Sequence, residues 1–353
     1  MEKRTLFIKP SRPAIGEVKL DPVLVAMNKS RDIETTLTLD TNILISMEKV
    51  VDNGNKWASV KKQGLHNLIK LLQKCPPKSI CISPGLALNE MPPELAQQSR
   101  EKYELFCAEH LPGFVNTPNC IYFEYKGKKE NYGYEDLSSE SKAVLAVSFC
   151  CILYLNLIDN KYKGKPIDKF RSFLDKLEKK VDILSAAEIE IAKYCFVEPP
   201  YDCRETIELR RKIRNNFLKT RDGKLPINSS EVMDIAFNGA CDLHLLQAAN
   251  VIDQNGLDGV EQDSWVATKD KKLVEFCTIF HHVNLDGEVG KYAAKTIHPE
   301  HSKDIYWMHA DADFTMRSLT RKSYHEPREI EFEGLLKVAD QAIIEIKEAF
   351  GNA

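Results

Sequence analysis

The hydrophobic pattern along the chain alternates between two signatures. Short β-branched or apolar runs occur at 33–39 (Ile-Glu-Thr-Thr-Leu-Thr-Leu), 79–83 (Ser-Ile-Cys-Ile-Ser), 264–268 (Ser-Trp-Val-Ala-Thr) and 280–285. Short apolar runs bounded by turn signals read as buried strands. Longer stretches between them repeat apolar positions every three or four residues. Residues 43–51 and 57–74 are of this kind, the second carrying Val60, Leu65, Leu68, Ile69, Leu71 and Leu72 and ending at Pro76-Pro77. Pro84-Gly85 turns the chain into a helix bearing Leu86, Leu88 and Glu90. Helical patterns then cover 94–110, 138–159, 167–197 and 203–221, with an irregular, aromatic- and Lys-rich stretch at 111–137. A long helix is predicted over 231–252, a turn-rich segment over 253–263, a helix from Lys271 and a terminal amphipathic helix over 331–350. Residues 1–32, punctuated by Pro10, Pro13 and Pro22, read as extended, and the signals just beyond 290 are mixed.

Short strands separated by helices predict an α/β fold with a parallel sheet. The pattern divides into an N-terminal extension (1–32), a first part of the α/β core (33–95), a helical insertion (96–224), a second part of the core (225–290) and a C-terminal extension ending in a helix (291–353). No internal repeat or low-complexity tract interrupts it.

Composition narrows the function. The 353 residues are 43% hydrophobic and 29% charged, with a net charge of −3. That balance argues against a surface that coats nucleic acid wholesale and leaves room for a local basic groove. The ten cysteines are scattered and form no C-x-x-C pair, which reads as reduced, mostly buried thiols in a cytoplasmic protein. The most apolar run, 143–158, contains Ser148 and Asn156 and falls short of the roughly 20 residues a membrane span needs. It reads as a buried helix, and the N-terminus does not read as a signal peptide. No Gly-x-x-x-x-Gly-Lys, Gly-x-Gly-x-x-Gly or Gly-x-Ser-x-Gly motif is present, so nucleotide-driven and serine-hydrolase chemistry lack support.

Candidate chemistry concentrates where strands end. The first strand delivers Asp40-Thr41-Asn42, and ligands of open α/β sheets bind beyond the carboxyl ends of strands. Further acids stand in matching contexts: Glu90 on the helix after the second strand, Asp242 in Asp-Leu-His-Leu-Leu-Gln-Ala-Ala on the long helix, and Asp270 in Thr268-Lys269-Asp270 after the third strand. Several carboxylates around one crevice repel one another unless a cation joins them, and hard oxygen ligands suit magnesium or manganese. Each acid also has an ordinary reading. Asp40 and Asp270 could be helix N-caps, Glu90 a surface residue of a first helical turn, and Asp242 a solvated mid-helix acid. Asp234, Asn238 and Asp242 recur every four residues and share one helix face, so Asp234 is an alternative or accessory acid.

These four motifs, in this order and in these contexts, resemble those of the PIN-domain nucleases. The resemblance covers about 33–95 and 225–285. It implies a three-layer α/β/α core with a central parallel sheet, split here by the large helical insertion. It further implies a metal-dependent endonuclease, a ribonuclease rather than a deoxyribonuclease, using Mg2+ or Mn2+ held by Asp40, Glu90, Asp242 and Asp270, with Asp234 beside them. Asn42 and Thr268 would orient the phosphate or a ligand carboxylate. A toxin or anti-phage effector, a homodimer and an inhibitory protein partner are among the roles and assemblies such a family implies. The other readings are an inactive PIN-like scaffold that binds RNA or protein, and a metal-dependent phosphohydrolase acting on a small phosphoester.

Residues 204–224 hold eight Lys/Arg against Glu205, Glu208 and Asp222. A basic helix could supply phosphate contacts for RNA, with Arg210, Arg211 and Arg214 as the candidates; the alternative is a plain solvated face. The aromatic stretch from Tyr122 to Tyr134 could stack bases or be an ordered loop. His298, Glu300, His301, His309, Asp311 and Asp313 match no zinc spacing and read as surface residues.

Overall fold

The structure is a computed structural model that describes residues 4–13, 18–112, 132–198, 203–284, 292–295, 301, 304–324 and 331–351. In chain order the elements are β1 (Leu6–Ile8), β2 (Ser11–Pro13), α1 (Pro22–Ser30), β3 (Glu34–Leu39), α2 (Thr41–Asp52), α3 (Trp57–Lys62), α4 (His66–Lys74), β4 (Ile80–Ser83), α5 (Gly85–Asn89), α6 (Pro93–His110), α7 (Ser139–Lys161), α8 (Pro166–Lys176), α9 (Ala186–Phe196), α10 (Arg204–Phe217), α11 (Ser229–Asn255), β5 (Gln262–Thr268), α12 (Lys271–Ile279), β6 (Phe280–Asn284), β7 (Tyr292–Lys295), α13 (Ile305–Tyr324) and α14 (Phe332–Phe350). The chain is mixed α/β and mostly helical, with a small mixed sheet. It divides into two compact units, Met1–Tyr132 with Leu245–Ala294, and Gly133–His244 with Lys295–Ala353.

The first unit is built on a four-stranded sheet in the order β1-β5-β3-β4. β3 runs parallel to both β4 and β5, while β1 closes the edge of β5 antiparallel. The expected all-parallel sheet is therefore corrected at one edge, and residues 1–32 are not an extended appendage. They supply β1 and β2 and the helix α1, which Asp21 caps through the amides of Val23 and Leu24 ahead of Pro22 at the first helical position. β2 joins β6 and β7 in a second, three-stranded sheet. β3 is buried from Thr35 to Leu39, as a central strand covered on both faces must be. Leu37, Leu39, Ile43, Leu44, Leu68, Leu72, Ile82, Phe106 and Trp265 form its core. The predicted helix over 57–74 is two helices, because Gly64 turns at φ +70 between α3 and α4.

The second unit is helical. α14 lies along α7, and α8 packs on α7, α9 and α13. α7 is long and apolar enough to cross a membrane by length and composition, and most of its apolar window is buried within the protein. Tyr134 stacks on Phe149 with ring centroids 3.9 Å apart. The single helix expected over 167–197 is broken: α8 passes through a π turn at Leu177–Val181 and ends at Asp182, which adopts φ +58 before α9 begins.

The units differ from the sequence division. α6 belongs to the sheet-bearing unit, where it packs on α2. The C-terminal segment belongs with the helical unit and supplies α13 and α14.

Candidate functional site

The parallel strands β4, β3 and β5 place the first strand of the three in the middle, with the second on one side and the third on the other. Chain connection reverses direction across β3 and β5, and the crevice at such a reversal is the usual ligand site of an open α/β sheet. Thr38 is level with Ser83 of β4 and with Val266 of β5, so all three carboxyl ends open at the same height. Asp40, Thr268 and, after the short α5, Glu90 follow these ends.

Each acid is positioned by its local sequence. The Asp40 amide donates to the Ala267 carbonyl at 3.0 Å, which extends the β3–β5 ladder one residue further. Its side chain then caps α2 through the Asn42 amide at 3.3 Å. Thr268 Oγ1 donates to Asp40 Oδ2, and Asn42 Nδ2 donates to the same oxygen at 2.5 Å. Asp270 caps α12 through the Lys272 amide at 2.7 Å, while its own amide donates to Thr268 Oγ1 at 2.9 Å. Glu90 closes the C-terminal end of α5 and accepts from Thr41 Oγ1. The N-cap readings of Asp40 and Asp270 are thus realised in the structure, whereas Glu90 ends its helix and is not a first-turn residue.

Electrostatics link the three. Asp40 is 8% exposed. Burial pushes its carboxyl above the usual carboxylate range and the Asp270 charge adds to that, against hydrogen bonds from Thr268 and Asn42 that pull it down. Burial pushes Glu90 up to about 7; the Thr41 hydrogen bond opposes this and the neighbouring Asp40 charge reinforces it. Neither Asp40 nor Glu90 has an ion-pair partner among the described residues. Every carboxylate is turned onto a protein donor, and among the described residues no three His, Cys, Asp or Glu side chains are close enough as they stand to hold a metal ion.

Two further residues hold these side chains in place, Thr41 of the sequence motif and Lys269, to which sequence reasoning gave no role. Thr41 is the hydroxyl that holds Glu90. Lys269 donates through its amide to Asn42 Oδ1 at 2.9 Å and through Nζ to Ser46 Oγ at 2.7 Å. The spacing of Asn42 and Ser46, four residues apart on one face of α2, is the signal that one residue could touch both.

The remaining candidates lie in the helical unit and are described there. Asp234 and Asn238 are exposed and Asp242 is half-buried on α11. Asp242 accepts from Asn216 Nδ2 at 3.3 Å. On α10, Arg214 is held by both carboxylate oxygens of Asp159 at 2.8 and 2.7 Å and by the Cys195 carbonyl. That is a structural clamp, so Arg214 is corrected from a phosphate-facing residue to one that fastens α10. Arg211 is exposed and pairs with Glu208 on its own helix, and Arg210 is half-buried. Of the His and acidic positions at 298–313 that read as surface residues, His301 is corrected to a buried one. His301 is buried, stacked on Trp307 and bonded to Thr206, while Asp311 pairs with Lys193 and Asp313 with Arg171. His298 and Glu300 lie outside the described residues, as does most of the aromatic stretch at 122–134. Comparison with protein-family models, with curated proteins and with solved structures finds no match to this chain.

Proposed function

We propose that the first unit is a metal-dependent nuclease centre in which Asp40, Glu90 and Asp270 hold Mg2+ or Mn2+ and direct hydrolysis of a phosphodiester, RNA being the substrate that the family resemblance favours. The observation that carries it is the pair Asp40 and Glu90: two desolvated carboxylates beyond adjacent parallel strand ends, each raised by burial and by an acidic neighbour, with no basic partner among the described residues. Perturbed acids at a topological switch point are a functional-site signature. A bound divalent cation would neutralise the scissile phosphate and acidify a water molecule. Thr268 and Asn42 fix the orientation of Asp40. Glu90, poised to gain or lose a proton near neutral pH, is suited to accept one from the attacking water, and Thr41 holds it in place. By the same resemblance, products carry 5′-phosphate and 3′-hydroxyl ends.

A second reading has an observation of its own. The capping bonds of Asp40 and Asp270 satisfy both carboxylates as ordinary helix caps, which favours a PIN-like scaffold that has lost its chemistry. Incubation with total RNA and with single-stranded DNA, with and without Mn2+, separates the two. The nuclease reading expects Mn2+-dependent cleavage that Asp40→Asn abolishes in a folded protein. Cleavage by Asp40→Asn at the wild-type rate, or a calorimetric titration with Mn2+ that releases no heat, rules it out.

A further inference from the structure

The helical unit leaves one side of α13 bare. Ile305, Met308, Met316 and Leu319 are 66%, 52%, 63% and 55% exposed, and Ala312 between them is exposed as well. Their spacing of three, four, four and three residues puts them on one side of the helix. The opposite side is committed inward. Tyr306 donates through its hydroxyl to the Lys193 carbonyl at 2.9 Å, Trp307 stacks on His301, and Ala310 is fully buried. A single exposed apolar residue needs no explanation, whereas a contiguous stripe marks an interaction surface.

The stripe is symmetrical about Ala312. Ile305 and Leu319 stand seven residues either side of it, and Met308 and Met316 four residues either side. A two-fold axis through Ala312, perpendicular to the helix, therefore lays Ile305 on Leu319 of a second copy and Met308 on Met316 of that copy. Self-matching of this kind is what an isologous interface requires. Alanine at the crossing lets the helix axes approach to the lower end of the usual range of about 8–10 Å, and methionine adapts to an imperfect fit.

Charge and area point to the same occupant. Asp311 and Asp313 lie in the first half of α13, with Asp304 just before it, and Arg317 and Arg321 lie in the second half. Antiparallel pairing sets the acidic half beside the basic half, while parallel pairing sets like beside like. Asp311, Asp313, Arg317 and Arg321 are also ion-paired within their own unit, to Lys193, Arg171, Asp175 with Glu178, and Asp182. The stripe thus brings no unneutralised charge to the axis. Its apolar area is roughly 400–500 Å2 per copy, at the scale of the largest patch on a typical monomer. Doubled, it reaches about 1,000 Å2, the floor for a specific interface. An interface of that size associates weakly and reversibly.

We infer that α13 is a homodimer interface, two copies of this chain pairing antiparallel across Ala312. Sedimentation velocity on the full chain between about 1 and 100 µM tests it, with a reversible monomer–dimer equilibrium near 10 µM expected for an interface at this size limit. Met308→Glu and Met316→Glu replace exposed side chains, so the fold is retained, as circular dichroism melts verify, and the dissociation constant rises at least tenfold. Ala312→Cys forms an intermolecular disulfide under mild oxidation. Thr320→Cys, exposed on the same helix but eight residues from the Ala312 axis, does not form one faster than wild type. A chain that stays monomeric at the highest concentration overturns the inference, including one that instead binds phospholipid vesicles. So does a dimer that survives both glutamates, or crosslinking through Thr320→Cys as fast as through Ala312→Cys.

Discussion

Replacing Glu90 with glutamine in metal-free protein is expected to stabilise the first unit at alkaline pH. Glu90 has an ordinary value of 4.5 and is raised to about 7 in the folded chain, chiefly by burial. A carboxyl raised on folding contributes stability that is fully present below 4.5 and is lost as pH climbs through about 7, because the unfolded chain releases the proton first. A tenfold change in proton affinity corresponds to about 1.4 kcal/mol, so the ionised side chain costs the fold about 3 kcal/mol at pH 8. Gln keeps the acceptor for Thr41 and removes the charge. Glu90→Gln should therefore exceed wild type by about 3 kcal/mol at pH 8, or about 6–12 °C in midpoint for a unit of this size. The gap should close as pH falls towards 4.5, where both forms are neutral. The assay is thermal unfolding by tryptophan fluorescence in EDTA, on a Trp307→Phe background, so that Trp57 and Trp265 report the first unit alone. A Glu90→Gln chain no more stable than its parent at pH 8, or a gap independent of pH, refutes the claim that Glu90 is a desolvated, unpaired acid. On the proposed nuclease reading, Mn2+ should reverse the order, since a cation bound to the ionised form would stabilise the parent by mass action.

Arg214→Ala should destabilise the helical unit by about 3–5 kcal/mol, because it strands the largely buried Asp159, whereas Arg211→Ala on the exposed face should stay within about 0.5 kcal/mol. Urea denaturation of the two variants decides it, and equal small effects would return Arg214 to the substrate-facing candidates. Lys9→Met should cost the first unit about 3–5 kcal/mol, since the Lys9 ammonium pairs with both Asp253 and Asp263. A loss below about 1 kcal/mol in the same assay would show that the trio is solvated.

Strands β3, β4 and β5 were legible because each is a short apolar run closed by a turn or cap, and because the double burial of a central strand leaves few polar positions to blur the run. The acids Asp40 and Asp270 were legible as caps for the same reason that they are legible as ligands: a carboxylate at a strand-to-helix junction serves both. Other features left weak traces. β1 is only three residues long and its partner β5 lies more than 250 positions away. Helix α1 was masked by the prolines at 10, 13 and 22, although Asp21 before Pro22 is a good N-terminal signal. The break after α8 depends on a π turn and a left-handed aspartate, which periodicity does not register. α13 was hidden by carrying apolar residues on both sides, Tyr306, Trp307 and Ala310 buried and the stripe through Met308 exposed, so that no single amphipathic face stands out.

The two ends of β5 treat acidity in opposite ways. At its start, Asp263 shares Lys9 with Asp253, accepts from Asn28 and from the Trp265 indole, and Asp253 accepts from the Ser264 amide. Charge there is cancelled within the chain, and the network fastens the N-terminal segment to the sheet. At its other end Thr268 bonds Asp40, Asp270 follows, and Glu90 stands nearby, with neutral hydroxyls and amides as their donors. Hydrogen bonds from Thr, Asn and backbone groups hold carboxylates in place but do not offset a cluster of negative charge. A fold able to pair a lysine with acids at one end of a strand has no structural need to leave Asp40 and Glu90 without an ion-pair partner, among the described residues, at the other. Acids raised by burial at the crevice end of the sheet are the arrangement expected on the proposed reading, in which the compensating positive charge would arrive with a cation.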